Sequence, residues 1–313
     1  MRRLSLLAGA LVVVLSATAC FGSPPPPPDP HRDVVVFGDS NAWGIGCSLG
    51  DPGDLAATNE PFPCTPQSFS VENSTEGGCS IMGGVTLLYD RVAIPPSCSD
   101  WPSKWAGILD QTTPKLVILN TGGWEIVDRW LNFPNGCSPG NAYDCSAPDL
   151  QWGDPNNLGP AAAQYRSQLL SAISLFRSRG AKVLVVNSPY YAPTEPQVPG
   201  VPVWYERYPN DGGSGAQGVA DWVAPNTNLQ YRPSKVKTDE FDTTLKAALD
   251  ANYANDQNVK FFDLWSIVSP NGEYSDYVNG ILVRGPDHGH FNYDGYRYVI
   301  MPALLPVIQN MLA

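Results

Sequence analysis

Three short runs that contain only apolar residues, many of them β-branched, constrain the fold of this chain most strongly. They cover Val34 to Phe37, Leu116 to Leu119 and Val183 to Val186. Strands of this composition are typical of a parallel sheet covered by helices on both faces, because neither side of such a strand can face water. The runs therefore predict an α/β domain with a buried, mostly parallel sheet.

Segments with helical spacing alternate with these strands. One begins at Pro160, ends before Gly180 and joins the second and third runs, which makes a right-handed β-α-β unit. A further helix is predicted from about residue 239 to 253, followed by a fourth strand at Val259 to Phe262. This alternation extends the predicted sheet to at least one more strand.

The end of the chain and two internal stretches depart from regular alternation. The last helix, from about Tyr296, contains Pro302 and Pro306 and is predicted to be kinked or broken. Residues 45–80 and 188–235 do not fit the pattern, and long segments of this kind are usually functional loops or disordered. The aromatic residues of the second stretch either stack on sugar rings or form a small core beneath the loop.

The first nineteen residues have the features of an export signal. Arg2 and Arg3 precede an apolar run, and small residues follow it up to Cys20. The position of Cys20 resembles a bacterial lipobox and predicts lipidation of this residue, with ordinary cleavage nearby as the alternative. The resulting organisation is a signal peptide at 1–19, a lipidated cysteine and proline-rich linker at 20–31, and a folded domain at 32–313.

Composition and motifs argue against several classes of protein. A formal net charge of −11 disfavours a nucleic-acid partner, because binding to phosphates requires an excess of lysine and arginine. The chain has neither the CxxC nor the histidine spacing of a zinc site, and no nucleotide-binding motif stands out. No metal and no other cofactor are therefore expected.

The cysteines are expected to form disulfides. The chain has seven, and an export signal directs it to a compartment in which disulfides persist. Setting Cys20 aside for lipidation leaves an even number. Cys137 and Cys145 bracket a polar, turn-rich segment, so this pair is the first that we expect to be bonded. The cysteines predicted to form disulfides are Cys47, Cys64, Cys79, Cys98, Cys137 and Cys145.

The first apolar run leads directly into Ser40, and two of the three histidines lie near the C-terminus. A serine hydroxyl becomes a nucleophile when a histidine takes its proton and an aspartate orients that histidine. A turn after a parallel strand lies at the carboxyl edge of the sheet, where open α/β folds place their sites. Ser40 is thus a candidate nucleophile, with His288 or His290 as its base. The alternative is that Ser40 is only a helix N-cap.

Together, the Gly38-Asp39-Ser40 start and the Asp287-His288-Gly289-His290 end resemble two blocks of the SGNH (GDSL-type) hydrolase superfamily. In that superfamily the catalytic histidine follows its aspartate by three residues, which selects between the two candidate bases. The roles that the resemblance implies are nucleophile for Ser40, general base for His290 and orienting carboxylate for Asp287. Asp39 is assigned as a substrate contact, and His288 as a neighbour or a substrate contact.

The resemblance also implies an oxyanion hole, which stabilises the charge that develops during acyl transfer. The backbone N–H of Ser40 is one donor, and the glycine of the second block corresponds to Gly78, or to Gly77 if the register is shifted by one. The third block departs from the superfamily, because Trp124 stands where its asparagine belongs. Either Asn120, at the end of the second apolar run, substitutes for that asparagine, or the hole is built from two backbone donors and a side chain elsewhere.

The segment around Trp124 resembles a subfamily. Trp124, Glu125, Asp128 and Arg129 match a W-E-x-x-D-R element that is common in the periplasmic SGNH domains fused to integral-membrane acyltransferases of envelope polysaccharides. Trp124 is accordingly assigned to substrate binding. Asp128 and Arg129 are predicted to form a structural ion pair on a helix that follows the strand.

These observations predict a three-layer α/β/α domain of the flavodoxin-like type, lipid-anchored outside the cytoplasmic membrane or in the cell envelope. The expected activity is that of a serine esterase or O-acyltransferase acting on acyl esters, such as acetyl or succinyl groups, of cell-envelope carbohydrate. A partner membrane acyltransferase is a second expected partner. The alternative is a noncatalytic envelope lipoprotein that binds polysaccharide or a partner acyltransferase.

Overall fold

Strands and helices alternate along the chain in a computed structural model, which describes residues 31–53, 63–87, 93–94, 98–126, 129–132, 150, 152, 159–187, 235–272, 274–285 and 289–313. The strands are β1 (Val34–Gly38), β2 (Val71–Asn73), β3 (Val85–Leu87), β4 (Ala93–Ile94), β5 (Leu116–Asn120), β6 (Arg129–Trp130), β7 (Lys182–Val186), β8 (Val259–Phe262), β9 (Tyr277–Val278) and β10 (Ile281–Leu282). The α-helices are α1 (Ser40–Ser48), α2 (Trp101–Thr112), α3 (Pro160–Arg177), α4 (Lys235–Tyr253), α5 (Leu264–Val268), α6 (Tyr293–Gly295) and α7 (Met301–Leu312).

A five-stranded parallel sheet, in the order β2-β1-β5-β7-β8, lies at the centre of the fold. Three of its strands are the predicted apolar runs and a fourth is the strand predicted at Val259–Phe262, so these predictions are confirmed. β1 pairs with β5 along its whole length, so that Gly38 lies opposite Asn120. Asn120 in turn lies opposite Val186 of β7. The carboxyl ends of the three central strands therefore meet at one edge of the sheet, directly before Ser40.

Successive side chains of the central strands enter two different hydrophobic clusters, which explains why the runs are apolar throughout. Val35 and Phe37 of β1 pack in the cluster formed with α2, α3 and α4. Val34 and Val36 pack in the cluster formed with α1, α5 and α7. Burial of an aliphatic side chain stabilises a fold by roughly 1.5–3 kcal/mol. The predicted three-layer, flavodoxin-like arrangement is confirmed, and His31–Ala313 form one compact unit.

The helices agree with the sequence prediction in position but not in every boundary. α3 begins at Pro160 as predicted, whereas α4 begins at Lys235, four residues before the predicted start. The C-terminal helix changes type, because a π-helical turn at Tyr296–Ile300 directly precedes α7. Pro302 lies in the first turn of α7, and proline has no N–H for a regular helical bond. Pro306 lies inside α7, which continues to Leu312, so the helix is broken at neither proline.

The predicted helix after β5 is not formed, and this is a correction. Arg129 lies instead on β6, which belongs to an antiparallel sheet in the order β4-β3-β6. Arg129 is fully buried, so its charged group is held inside the protein rather than on a helix surface. Its predicted ion-pair partner, Asp128, lies outside the described residues.

Two disulfides are present in the described part of the chain, between Cys47 and Cys64 and between Cys79 and Cys98. The other predictions on Cys20, on Cys137 and Cys145, on the export signal and linker, and on the aromatic stretch fall on residues outside that part. Among the described helices, none is both long and apolar enough to cross a membrane. The described side chains contain no cluster that could hold a metal ion.

Candidate active site

A tight turn places Ser40 at the carboxyl edge of the sheet. Gly38 has φ +142, and a Cβ added to it would lie 2.0 Å from the carbonyl oxygen of Asn120 and 2.7 Å from the Ala42 Cβ. Only glycine allows this close approach. Asp39 is the N-cap of α1, where its carboxylate accepts a hydrogen bond from the Asn41 N–H at 2.8 Å. Ser40 is therefore the first helical residue, and the alternative that it serves as the cap is wrong.

The structure brings Ser40 and His290 together across 250 positions of the chain. The Ser40 Oγ and the His290 Nε2 are 2.6 Å apart, within hydrogen-bond distance. Ser40 is half-buried and His290 is exposed, so the pair opens to solvent. A hydroxyl in contact with an imidazole nitrogen is the arrangement in which a base can remove the hydroxyl proton. Asp287 and His288, the other predicted members of this loop, lie outside the described residues.

The loop that carries His290 is held by its own backbone and by one buried cation. The Gly285 N–H donates to the carbonyl of His290 at 2.8 Å, and Arg284 and Phe291 form an isolated β-bridge. The Arg284 guanidinium donates to the Gly289 carbonyl at 2.6 Å and lies 3.9 Å above the centre of the Phe291 ring. Arg284 thus fixes the residues on both sides of His290.

The segment after β2 runs beside the turn that carries Ser40. The Ser74 N–H donates to the Val36 carbonyl, and the Glu76 N–H donates to the Gly38 carbonyl, each at 3.0 Å. The chain then turns, and Gly78 adopts φ +75, in the left-handed region that favours glycine. These bonds place the predicted oxyanion glycine in a segment attached directly to the nucleophile turn.

The backbone donors near Ser40 differ in whether they already have an acceptor. The N–H groups of Asn41 and Ala42 donate to the Asp39 carboxylate. In the described part of the chain, no group accepts a hydrogen bond from the N–H of Ser40 or of Gly78. Among the described residues these two N–H groups have no acceptor, and their role as oxyanion donors stays a prediction.

Asn120 has a structural position that contradicts its predicted role. Its side-chain amide donates to the carbonyl groups of Val186 and Asn187, both at 3.1 Å. The two amide protons are thereby used, and the side chain is 1% exposed. The prediction of Asn120 as an oxyanion donor is wrong, because the strand register places its amide against the end of β7.

Asp39 is buried beneath the site rather than exposed to a substrate. It is 2% exposed, and its burial together with the negative charge of Glu125 raises its pKa to about 7. Hydrogen bonds from backbone N–H groups and the charge of His290 act in the opposite direction. Asp39 therefore caps α1, and its charge interacts with that of His290. Because Asp39 is buried, its predicted role as a substrate contact is wrong.

Sequence reasoning assigned no role to Glu125, which the structure places in the interior. Glu125 is 1% exposed, and its two carboxylate oxygens accept from the Ile81 N–H at 2.9 Å and the Gly122 N–H at 2.5 Å. Burial raises its pKa, while the charge of Arg129 opposes that shift. Trp124, beside it, is half-buried and so retains surface for the predicted substrate contact.

Comparisons with known proteins give structural similarity at low identity. No family model and no curated protein matches the chain. Similar solved structures include a GDSL-like lipase from Bacteroides thetaiotaomicron (14% identity, TM-score 0.43, covering 89% of this chain and 88% of that one). Another is the periplasmic domain of a lipopolysaccharide acetyltransferase from Salmonella ser. Paratyphi A (10% identity, TM-score 0.40, covering 89% of this chain and 84% of that one). A third is a variant of an acetyl-xylooligosaccharide esterase from Geobacillus (11% identity, TM-score 0.42, covering 88% of this chain and 94% of that one).

Because these identities and TM-scores are low, no functional assignment rests on them. The strand order, the Gly38-Asp39-Ser40 turn and the Ser40–His290 contact are properties of this chain itself. The chain has a three-layer α/β/α fold, and a serine–histidine contact lies at the carboxyl edge of its parallel sheet, where the two sequence motifs predict one.

Proposed function

We propose that this protein is a serine esterase or O-acyltransferase that acts on acyl esters of cell-envelope carbohydrate. The observation that carries the proposal is the 2.6 Å contact between the Ser40 Oγ and the His290 Nε2. An imidazole that touches a serine hydroxyl at the edge of a parallel sheet provides the base that nucleophilic catalysis needs.

In the first half of the reaction, the Ser40 Oγ attacks the ester carbonyl carbon while the His290 Nε2 takes the hydroxyl proton. The carbonyl oxygen becomes an oxyanion, which accepts hydrogen bonds from the N–H groups of Ser40 and Gly78. The C–O bond to the alcohol then breaks, and the alcohol leaves with the proton from His290. The acyl group remains on Ser40 as an ester.

In the second half, water or a sugar hydroxyl attacks the acyl carbon while His290 takes its proton. The bond between the acyl carbon and the Ser40 Oγ then breaks, and His290 returns the proton to the Ser40 Oγ. Water as acceptor gives hydrolysis, and a sugar hydroxyl gives transfer. Asp287 is proposed to hold the second ring nitrogen of His290, which keeps the imidazole in the required tautomer.

The proposed substrate class follows from the surroundings of the pair. Because His290 is exposed, an ester on a bulky polymer can reach it without entering a closed cavity. The W-E-x-x-D-R element, with Trp124 half-buried at the surface, resembles that of domains that modify envelope polysaccharides.

An extracytoplasmic position is part of the same proposal. Two disulfides support it, because such bonds persist in oxidising compartments. Lipidation of Cys20 would keep the enzyme at the membrane surface, close to a partner acyltransferase.

The experiment compares wild type with Ser40→Ala on p-nitrophenyl acetate and on acetylated and succinylated envelope polysaccharide, with released and transferred acyl groups measured. Ser171→Ala is the matched control, because Ser171 is an exposed serine of α3 that bonds the Ser167 carbonyl. We expect turnover by wild type and by the control, and none by Ser40→Ala. Equal turnover by wild type and Ser40→Ala would remove Ser40 from the mechanism. Polysaccharide binding without any turnover would favour the noncatalytic alternative.

A further inference from the structure

We infer that Glu125 and Arg129 are positioning residues that hold the oxyanion loop, defined as residues 78–83, against the end of β5. In this way they supply rigidity where the third sequence block lacks its asparagine. The inference rests on the proposed function, because it assigns the loop to the stabilisation of an oxyanion.

Glu125 joins two loops through a single carboxylate. One oxygen accepts from the Ile81 N–H in the oxyanion loop at 2.9 Å, and the other accepts from the Gly122 N–H in the segment after β5 at 2.5 Å. Both donors are backbone groups, so the bonds fix the path of the main chain. The two bonds go to different oxygens, so a side chain with a single acceptor oxygen cannot keep both of them in this geometry.

Arg129 joins the same two loops through its guanidinium. Its Nη1 donates to the Ser80 Oγ at 2.7 Å and to the Gly83 carbonyl at 2.9 Å, and its Nη2 donates to the Trp124 carbonyl. The guanidinium is a planar group with five donors, so it can serve several acceptors whose positions are fixed. Arg129 is 0% exposed, and its contacts are therefore not weakened by water.

These contacts lie close to the reacting atoms. Ser80 and Ile81 follow Gly78 by two and three residues. The charge of Glu125 is near enough to Asp39, the residue before Ser40, to raise the pKa of that carboxyl group. A misplacement of about 1 Å in a reacting group can cost roughly 100-fold in rate. Since the Asn120 amide is committed to β7, the Gly78 N–H carries a larger share of the oxyanion stabilisation.

Glu125→Gln tests the inference, because glutamine has nearly the same shape but only one acceptor oxygen. Glu72→Gln is the matched control, since Glu72 lies on β2 and its carboxylate is 3.5 Å from the partly exposed Arg32. Turnover of p-nitrophenyl acetate is measured for each variant, with circular dichroism to establish folding. We expect kcat of Glu125→Gln to fall about 10–100-fold with KM within about 2-fold of wild type. If the hydrogen bonds of Glu125 had only a structural role, their loss would lower thermal stability and leave kcat of the folded protein unchanged.

Ser80→Ala keeps the test decisive if Glu125→Gln does not fold, since it removes one acceptor of Arg129 without disturbing a buried carboxylate. We expect kcat to fall about 3–10-fold, again with little change in KM. Wild-type kcat in a folded Glu125→Gln protein, or in Ser80→Ala where only that variant folds, overturns the inference and leaves the proposed function standing. Absence of turnover by wild type overturns the proposed function and the inference with it.

Discussion

The nucleophile turn and the histidine loop are held in place by different means. Ser40 follows a fully buried strand, a glycine in contact with β5 and a buried N-cap, so its position is set by the hydrophobic core and the sheet. His290 is exposed in a loop, and a β-bridge together with hydrogen bonds around Arg284 sets its position. Local changes can therefore displace the base, whereas displacement of the nucleophile requires damage to the core.

The largest effect is expected for His290→Ala. Removal of the base should lower kcat roughly 10⁴-fold or more. The free energy of unfolding should change by less than about 0.5 kcal/mol, because the side chain is exposed. Ester turnover and urea denaturation measure the two quantities. A double variant with Ser40→Ala should be no slower than either single variant, and multiplied losses would show that the two residues do not act as a unit.

The second-largest loss of kcat is expected for substitution of Arg284, the buried cation that contacts the residues on both sides of His290. Arg284→Lys keeps the charge but loses the planar contact with Phe291 and the guanidinium bond to Gly289. We expect kcat to fall about 10-fold or more in protein that is folded by circular dichroism. Arg179→Lys is the control, since Arg179 pairs with an exposed carboxylate on α2. If Arg284→Lys lost stability but kept the wild-type kcat, the result would contradict the claim that the contacts of Arg284 set the position of His290.

The two disulfides differ in their distance along the chain from the predicted oxyanion glycine. They close segments of similar length, with sequence separations of 17 and 19. Removal of either should therefore lower the free energy of unfolding by about 3 kcal/mol. Only Cys79 adjoins Gly78, so Cys79→Ala/Cys98→Ala should also lower kcat several-fold, whereas Cys47→Ala/Cys64→Ala should not. Equal kcat in the two double variants would remove the second disulfide from the support of the oxyanion loop.

The smallest effect concerns the buried carboxyl group of Asp39. Its pKa is raised from 3.8 to about 7, so at pH 5 to 6 the native state holds a proton that the unfolded state has released. The contribution of this group to stability therefore falls by about 1.4 kcal/mol for each pH unit between roughly pH 4 and 7. Asp39→Asn keeps an acceptor for the helix cap and should abolish this slope. Denaturation curves at pH 5 and 6 measure it, and parallel slopes in wild type and variant would contradict the burial of a titrating group there.

The sheet could be predicted from sequence because strands buried on both faces leave a run of apolar residues with no interruption. β2 could not, since it has only three residues and Glu72 lies in the middle of it. β6 could not be predicted for a similar reason. It has only two residues, and one of them is Arg129, a residue type that is usually exposed but is buried here. Short strands depend on tertiary pairing, which leaves little local signal.

The contact between Ser40 and His290 followed from two short motifs at opposite ends of the chain. Asn120 and Asp39 were assigned wrongly, because their partners are backbone groups whose positions follow from strand register and helix capping. The bond from Glu125 to Ile81 spans 44 positions and has no regular spacing that sequence reasoning could have used. The one available signal was the match of Glu125 to the W-E-x-x-D-R element, which gave the residue no structural role.

The most direct test is to label the protein with a fluorophosphonate, which reacts with activated serines, and to locate the adduct by mass spectrometry of its peptides. Wild type should carry a single adduct on Ser40, and folded His290→Ala should carry almost none after the same time. An adduct on another serine, no adduct at all, or equal labelling of Ser40 in both proteins would contradict the catalytic pairing of Ser40 with His290.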